Sequence, residues 1–219
     1  MWIHVRAVPP FQKNGFIVAC ERTRHGVMID PGDEVEDLLA LVREQRIEVQ
    51  SVLLTHAHLD HITGVAAAKK ALKVPVCLHR DDLPLYERVE QQGAMFGLKV
   101  ERQPDVDRFY DATPITFGDY EVTVHHTPGH CPGGVCLQVG RQGSPGDHLF
   151  VGDTLFASSI GRTDLPGGDY ETLMQSITKV LFPLGDSSIV HPGHGPDTTI
   201  ARERTTNPFV LDYLADRRR

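Results

Sequence analysis

The sequence predicts an α+β protein in which two β-sheets pack face to face between outer layers of helices. Short apolar segments separated by turn residues indicate strands arranged in hairpins, and helical periodicity appears outside these strand groups. The same order of strands and helices occurs twice along the chain, which is typical of two packed sheets. Because no linker or low-complexity stretch separates the halves, we expect residues 1–219 to form one domain.

The first half is predicted to contain five strands and three helices. The strands are expected at residues 3–8, 16–20, 26–29, 51–54 and 74–78. The helices are expected at residues 34–45, at residues 61–72 and from about residue 81. Within the first helix, Val35, Leu38 and Val42 recur at intervals of three and four residues, which predicts one buried face.

The second half repeats this pattern. Its strands are expected at residues 115–117, 121–126, 134–139, 148–151 and 188–190. A helix is expected over residues 169–181, and residues 200–215 are predicted to be helical with a break at Asn207-Pro208, since proline lacks the backbone donor of a helix interior.

Composition excludes several classes of function. The chain has 22 basic and 29 acidic residues, a net charge of −7, so nucleic acid is not expected as a partner. No run of 18 apolar residues and no apolar leader segment occurs, so we expect no membrane span and no export signal. The 4 cysteines lack C-x-x-C spacing, which favours a reducing cytoplasm over a disulfide framework or a thiolate zinc site.

The segment from Thr55 to His61 carries the strongest functional signal of the sequence. It places His56, His58, Asp60 and His61 within six residues where a buried strand meets a helix. Alternate side chains of an extended segment share a face, so the first three can converge while His61 approaches from the helix. Four ligand-type groups in this arrangement can serve two metal ions.

Three more ligand-type residues follow at strand-to-loop junctions. His130 lies in Thr-Pro-Gly-His, Asp153 in Val-Gly-Asp-Thr and His194 in His-Pro-Gly-His-Gly. The adjacent glycines let the backbone approach a compact site closely. Two divalent cations sharing one water would lower its pKa and polarise a carbonyl oxygen at the same time. A set of nitrogen and oxygen ligands without thiolate suits zinc first, and iron or manganese can also be accepted.

At these residues the chain resembles the metallo-β-lactamase superfamily and, within it, the glyoxalase II-like hydrolases. The resemblance runs from the first strands to about Pro208 and depends on H-x-H-x-D-H followed by Gly-His, Gly-Asp and Pro-Gly-His-Gly. Gly-Arg-Thr-Asp at residues 161–164 is similar to the short bacterial branch. The resemblance implies a four-layer αββα sandwich of the metallo-β-lactamase type, with a binuclear metal centre at one edge.

The resemblance also implies roles for the ligand-type residues. In the pattern of the family, the first metal is held by three histidines, His56, His58 and His130. The second metal is held by Asp60, His61 and His194. Asp153 bridges both, Asp60 is also the expected catalytic residue, and Asp30 supports the loop that carries the first histidines.

The implied activity is hydrolysis of a small-molecule thioester such as S-lactoylglutathione or a related acyl thioester. Glyoxalase II has a C-terminal helical region that grips glutathione, whereas only 25 residues follow His194 here, so the leaving group stays open. A mononuclear iron persulfide dioxygenase is an alternative, although that family departs at the last ligand motif. A lactonase or β-lactamase-type hydrolase also remains open, and a structural metal-binding module would need only four ligands.

Two further features are predicted near these motifs. Cys131 follows a predicted ligand, but a small buried thiol without a chemical role is expected. Arg162 and Asp164 are expected to form a buried ion pair at the edge of the site, and direct contact with substrate is the alternative.

Overall fold

The predicted strand groups are present in the computed structural model, which describes residues 1–144 and 146–217. The strands of the first half are β1 (Trp2–Arg6), β2 (Gly15–Ala19), β3 (His25–Ile29), β4 (Glu48–Leu53), β5 (Val76–Leu78) and β6 (Arg108–Phe109). Those of the second half are β7 (Ile115–Phe117), β8 (Tyr120–His126), β9 (Val135–Arg141), β10 (His148–Gly152), β11 (Leu155–Phe156), β12 (Ser159–Ile160), β13 (Ile189–Pro192) and β14 (Thr198–Thr199).

The helices follow the strands in both halves. They are α1 (Val35–Glu44), α2 (Leu59–Ile62), α3 (Val65–Leu72), α4 (Leu83–Tyr86), α5 (Val89–Met95), α6 (Tyr170–Gln175), α7 (Ile200–Thr206) and α8 (Pro208–Asp216). The predicted break at Asn207-Pro208 is confirmed: the Asn207 side chain accepts a hydrogen bond from Phe209 N at 3.1 Å, and Pro208 occupies the first turn of α8.

Each half of the chain contributes one six-stranded sheet. The first has the order β1-β2-β3-β4-β5-β6; β1 to β3 are antiparallel, and β3 to β6 are parallel. The second has the order β14-β13-β10-β9-β8-β7, in which β10 and β13 are the parallel pair. Strands β11 and β12 form a separate small hairpin.

Alternate side chains along each strand point to opposite faces of its sheet, so the two sheets separate three apolar cores. The sheets and the outer helices form four layers. In β2, Phe16 and Val18 point into the core between the two sheets, whereas Ile17 and Ala19 point to the helices on the other side. In β10, Phe150 faces the same central core, and Leu149 faces the core beneath α6, α7 and α8. The predicted αββα sandwich is therefore confirmed.

Three predicted elements differ from the structure. The helix expected at residues 61–72 is divided into α2 and α3 by a turn at residues 63–64. The polar helix expected from about residue 81 is divided into a 3₁₀ turn (Arg80–Asp82), α4 and α5. The helix expected over residues 169–181 begins as α6 and continues as a π-helical segment, Ser176–Leu181. The two-residue strands β6, β11, β12 and β14 have no sequence signal, because two residues show no alternation.

Among the described residues, no helix combines the length and apolar character needed to cross a membrane. The ends of β4, β8, β10 and β13 lie next to the loops that carry the predicted ligands. Both sheets therefore supply side chains to one edge of the sandwich.

Candidate metal centre

The loop after β4 is fixed by Asp30, which directly follows β3. The Thr55 backbone N–H donates to Oδ1 of Asp30 at 2.7 Å, and the Thr55 hydroxyl donates to Oδ2 at 2.5 Å. Asp30 adopts a φ of 48°, a left-handed conformation that aspartate tolerates better than most residues. The predicted support of the histidine loop by Asp30 is confirmed, and the loop sets the positions of His56 and His58.

Helix α2 places Asp60 and His61 beside these histidines. His58 lies at its N-cap with extended dihedral angles, so the chain turns into the helix immediately after the second histidine. His61 is fully buried and donates its Nδ1–H to Oδ2 of Asp30 at 2.9 Å. This bond turns the other ring nitrogen, Nε2, towards Asp60 at 3.8 Å.

The second sheet supplies His130, Asp153 and His194 from loops that follow β8, β10 and β13. Gly152 adopts a φ of 51° directly before Asp153, a conformation that favours glycine. Gly193 precedes His194, and a Cβ atom at this position would collide with Oδ1 of Asp153. Glycine is therefore required for the close packing of these two loops.

The structure brings all seven predicted residues together, six of them in two adjoining groups of three. Ligand atoms of His56, His58 and His130 lie within 4.8 Å of one another, and so do those of Asp60, His61 and His194. Asp153 lies between the groups. Its Oδ1 atom is 3.4 Å from Nε2 of His61, and its Oδ2 atom is 3.6 Å from Nε2 of both His130 and His194.

Buried polar atoms in these groups fit divalent metal ions. Among the described residues, Nε2 of His56, Nε2 of His61 and Oδ1 of Asp153 are buried without a hydrogen-bond partner. His130 donates its Nδ1–H to the Arg162 carbonyl at 2.7 Å, which leaves a lone pair on Nε2 facing Nδ1 of His58 at 2.7 Å. Since unpaired buried polar atoms are costly, a cation bound by them would stabilise the arrangement.

The electrostatics of the two groups differ. Burial lowers the pKa of His58 to about 3, with a further contribution from His130, and burial likewise holds the pKa of His56 well below its usual value. Burial also acts against a charge on His61, but Asp60 and Asp153 raise its pKa to about 10. The first group thus offers neutral imidazoles, whereas in the second a cation has to displace a proton.

A cavity of about 380 Å³ opens onto these residues. His58, Asp60, His130, Asp153 and His194 line part of it. Its volume lies in the range of small-molecule sites, so a substrate can reach the carboxylates and the imidazoles from one side.

Comparison with known proteins agrees with this geometry. The model of the metallo-β-lactamase superfamily matches residues 8–194, the segment that contains every residue of both groups. The chain belongs to the metallo-β-lactamase superfamily. The predicted family is therefore confirmed.

Relatives within the superfamily match over nearly their whole length. Hydroxyacylglutathione hydrolase GloC of Haemophilus influenzae is 34% identical over 218 residues, which cover 96% of this chain and 98% of that protein. The crystal structure of TTHA1623 in a di-iron-bound form is 41% identical with a TM-score of 0.83, covering 94% of this chain and 99% of that one. The crystal structure of BLEG-1 B3 metallo-β-lactamase is 34% identical with a TM-score of 0.86, covering 95% and 99%.

Two residues that support the histidine loop, Asp82 and Gln92, are not predicted from the sequence. Asp82 is fully buried; its Oδ2 accepts from Ala57 N at 2.8 Å and its Oδ1 from Gly133 N at 2.6 Å. Gln92 donates to the Ala57 carbonyl at 3.0 Å and accepts from Leu59 N at 2.9 Å. Both side chains stabilise the histidine loop from helical segments 25 to 35 residues away, and no local pattern signals this.

The segment before β2 fixes the loop of His194. The Asn14 side chain donates to the carbonyl of Pro192 at 3.0 Å and to that of Gly195 at 2.8 Å. The neighbouring Lys13 is buried, and its ammonium group binds Glu34 at 2.6 Å and the Asp30 carbonyl. In the sequence, Lys13 and Asn14 are two polar residues between predicted strands. This pattern is too common to indicate their role in fixing the loop of His194.

The surroundings of Cys131 agree with the prediction, whereas those of the Arg162–Asp164 pair do not. Cys131 is buried, as predicted, and its thiol contacts Oδ2 of Asp82 at 3.3 Å. Arg162 and Asp164 form a two-bond ion pair at 2.7 Å, but the prediction that it is buried is wrong, since both side chains are more than half exposed. Residues 161–164 lie in a surface loop, so solvent reaches both partners.

Proposed function

We propose that this chain is a binuclear metal-dependent hydrolase of an acyl thioester, such as S-lactoylglutathione or a related thioester. The observation that carries the proposal is the position of Asp153, which lies within 3.6 Å of ring nitrogens from both histidine groups. A structural metal site needs four protein ligands and no access, whereas five of these seven residues line a cavity.

The proposed ligands follow from the two groups. His56, His58 and His130 hold the first ion, and Asp60, His61 and His194 hold the second. Asp153 contacts both groups and is the proposed bridge. The orphaned atoms of His56, His61 and Asp153 support this assignment.

Zinc is the proposed metal, because imidazole and carboxylate ligands without thiolate suit it. Iron and manganese accept similar ligands. The di-iron form of TTHA1623 makes iron a specific competitor, so the metal has to be varied in any assay.

Hydrolysis of a thioester breaks the bond between the acyl carbon and sulfur. Water gives its oxygen to the acyl carbon and a proton to sulfur, and the products are a carboxylic acid and a thiol. Bound divalent ions would polarise the carbonyl oxygen and lower the pKa of the attacking water. Asp60, which lines the cavity and lies with its Oδ2 3.1 Å from Nε2 of His194, is the proposed catalytic residue that accepts a hydrogen bond from this water.

Two arginines support a substrate with a negative charge. Arg88 and Arg162 both line the cavity. The guanidinium of Arg162 is paired with Asp164, whereas that of Arg88 has no ion-pair or hydrogen-bond partner among the described residues. Because glutathione carries carboxylates, Arg88 is the proposed contact for such a leaving group.

Two other activities are alternatives to thioester hydrolysis. The name of BLEG-1 favours a β-lactam as the second candidate substrate. A mononuclear iron persulfide dioxygenase is less well supported, since Asp60, His61 and His194 form a complete second group here.

A panel of substrates on metal-loaded protein tests the proposal. We expect zinc- or iron-loaded protein to hydrolyse S-lactoylglutathione faster than a β-lactam, a lactone or a phosphodiester, with about two ions per chain by elemental analysis. One iron per chain together with oxygen consumption on glutathione persulfide would overturn it in favour of the dioxygenase. Faster turnover of the β-lactam than of every thioester would also overturn it.

A further inference from the structure

Helix α5 exposes apolar side chains at the rim of the cavity. Met95 is 71% exposed and Phe96, at the end of this helix, is 55% exposed. Both line the cavity that contains Asp60 and Asp153. Large apolar side chains that gather at a concave site mark a binding surface more often than a defect of packing.

Phe11 and Leu85 extend this apolar surface. The rings of Phe11 and Phe96 meet edge to face, with centroids 6.0 Å apart. Phe11 and Leu85 are partly buried against the core of the first sheet, whereas Met95 and Phe96 are not part of that core. We call Phe11, Leu85, Met95 and Phe96 the apolar wall.

The apolar wall is held in fixed register with the candidate metal centre. Gln92, one turn before Phe96, bonds both to the Ala57 carbonyl and to Leu59 N. These two residues flank His58 and precede Asp60. A group bound to the wall therefore lies in the same cavity as Asp60 and Asp153, next to a loop that is fixed to α5.

We propose that the cavity selects thioesters whose acyl group is apolar, and that the apolar wall contacts this group. The inference rests on the proposed function, since a thioester supplies the acyl group. A lactoyl group is small and polar and would leave Met95 and Phe96 in water. An alkyl chain of six to eight carbons would instead cover them and gain free energy with each methylene removed from water.

A series of thioesters of one thiol, with acyl groups of two to eight carbons, tests this proposal. We expect kcat/KM of the metal-loaded protein to rise about twofold per added methylene, because the exposed wall removes each methylene only partly from water. In the double variant Met95→Ser/Phe96→Ser, the ratio of the eight-carbon to the two-carbon value should fall at least tenfold. The matched control is Leu211→Ser, an exposed leucine on α8 outside the cavity, which should keep the ratio.

Binding of acetate and octanoate, measured by calorimetry, gives a readout that needs no turnover. Preference for octanoate that is lost in the double variant, with no thioester hydrolysed, would overturn the proposed function and keep the apolar preference. Equal rates and equal binding for short and long chains would overturn the inference and leave the proposed function standing.

A second copy of the chain could also cover the apolar wall, and sedimentation distinguishes this case. A dimer that the double variant converts to a monomer, without a change in chain-length dependence, would overturn the inference. A monomer that shows the chain-length dependence would support it.

Discussion

Asp30 and His61 are joined by a contact of 2.9 Å between a carboxylate oxygen and Nδ1. The same carboxylate accepts both donors of Thr55, so one buried side chain orients residues on both sides of His58. Carboxylate partners of this kind fix the orientation of a histidine ring and strengthen it as a ligand.

Asp30→Asn should therefore impair the proposed metal centre, although Asp30 has no contact with substrate in the proposed mechanism. Asparagine keeps one oxygen acceptor and presents N–H groups to the other donors, so the variant should lose about 3 kcal/mol of stability. Its metal content should also fall. Chemical denaturation and elemental analysis measure both effects. Asp33→Asn, in the same turn but exposed, is the control, and equal behaviour of the two variants would contradict the role of Asp30.

Asp153→Asn tests the proposed bridge. It keeps the shape of the side chain and removes the charge shared by the two groups, so the bound ions should be held less tightly. We expect lower metal content, an intact circular dichroism spectrum and at least a hundredfold loss of turnover, about 3 kcal/mol in the barrier. Asp164→Asn in the neighbouring surface loop should keep both metals. Normal metal content and turnover in Asp153→Asn would place the bridge elsewhere.

Cys131→Ser should keep at least half of the turnover. The proposed chemistry uses no thiol nucleophile, and a serine hydroxyl can make the same hydrogen bond to Asp82. Burial raises the pKa of Cys131 well above its usual value, so the thiol is uncharged. Steady-state kinetics on the metal-loaded variant provide the measurement. Loss of nearly all turnover in a folded variant would show that the thiol takes part in the reaction.

Removal of both metal ions by a chelator should lower Tm by about 16 °C. Each ion present at a hundred times its Kd contributes about 2.7 kcal/mol, so two ions contribute about 5.4 kcal/mol, and 1 kcal/mol shifts Tm by about 3 °C in a chain of this size. The orphaned atoms of His56, His61 and Asp153 are the physical reason. Calorimetry with and without chelator provides the measurement, and Asp153→Asn should show a smaller shift. An unchanged Tm in the parent protein would mean that the groups bind no ion.

The candidate ligand residues could be predicted from local sequence patterns, whereas most of the residues that support them could not. The alternation of His56 and His58, and the glycines before His130, Asp153 and His194, are visible in the sequence and mark one site in the structure. Asp82 resembles any polar residue at the start of a helix, because its partners Ala57 and Gly133 are adjacent only after both sheets have formed. The exposure of the Arg162–Asp164 pair likewise depends on the path of its loop, and no periodic pattern in the sequence indicates that path.

The bonds from Asn14 to Pro192 and Gly195 span 178 and 181 residues. During translation, the segment of Asn14 leaves the ribosome long before its partners have been made. His56, His58 and His130 are all synthesised before His194, so a nascent chain can present the first group of histidines while the second is incomplete. Both groups of the proposed centre can therefore be occupied only after the segment that carries His194 has been synthesised.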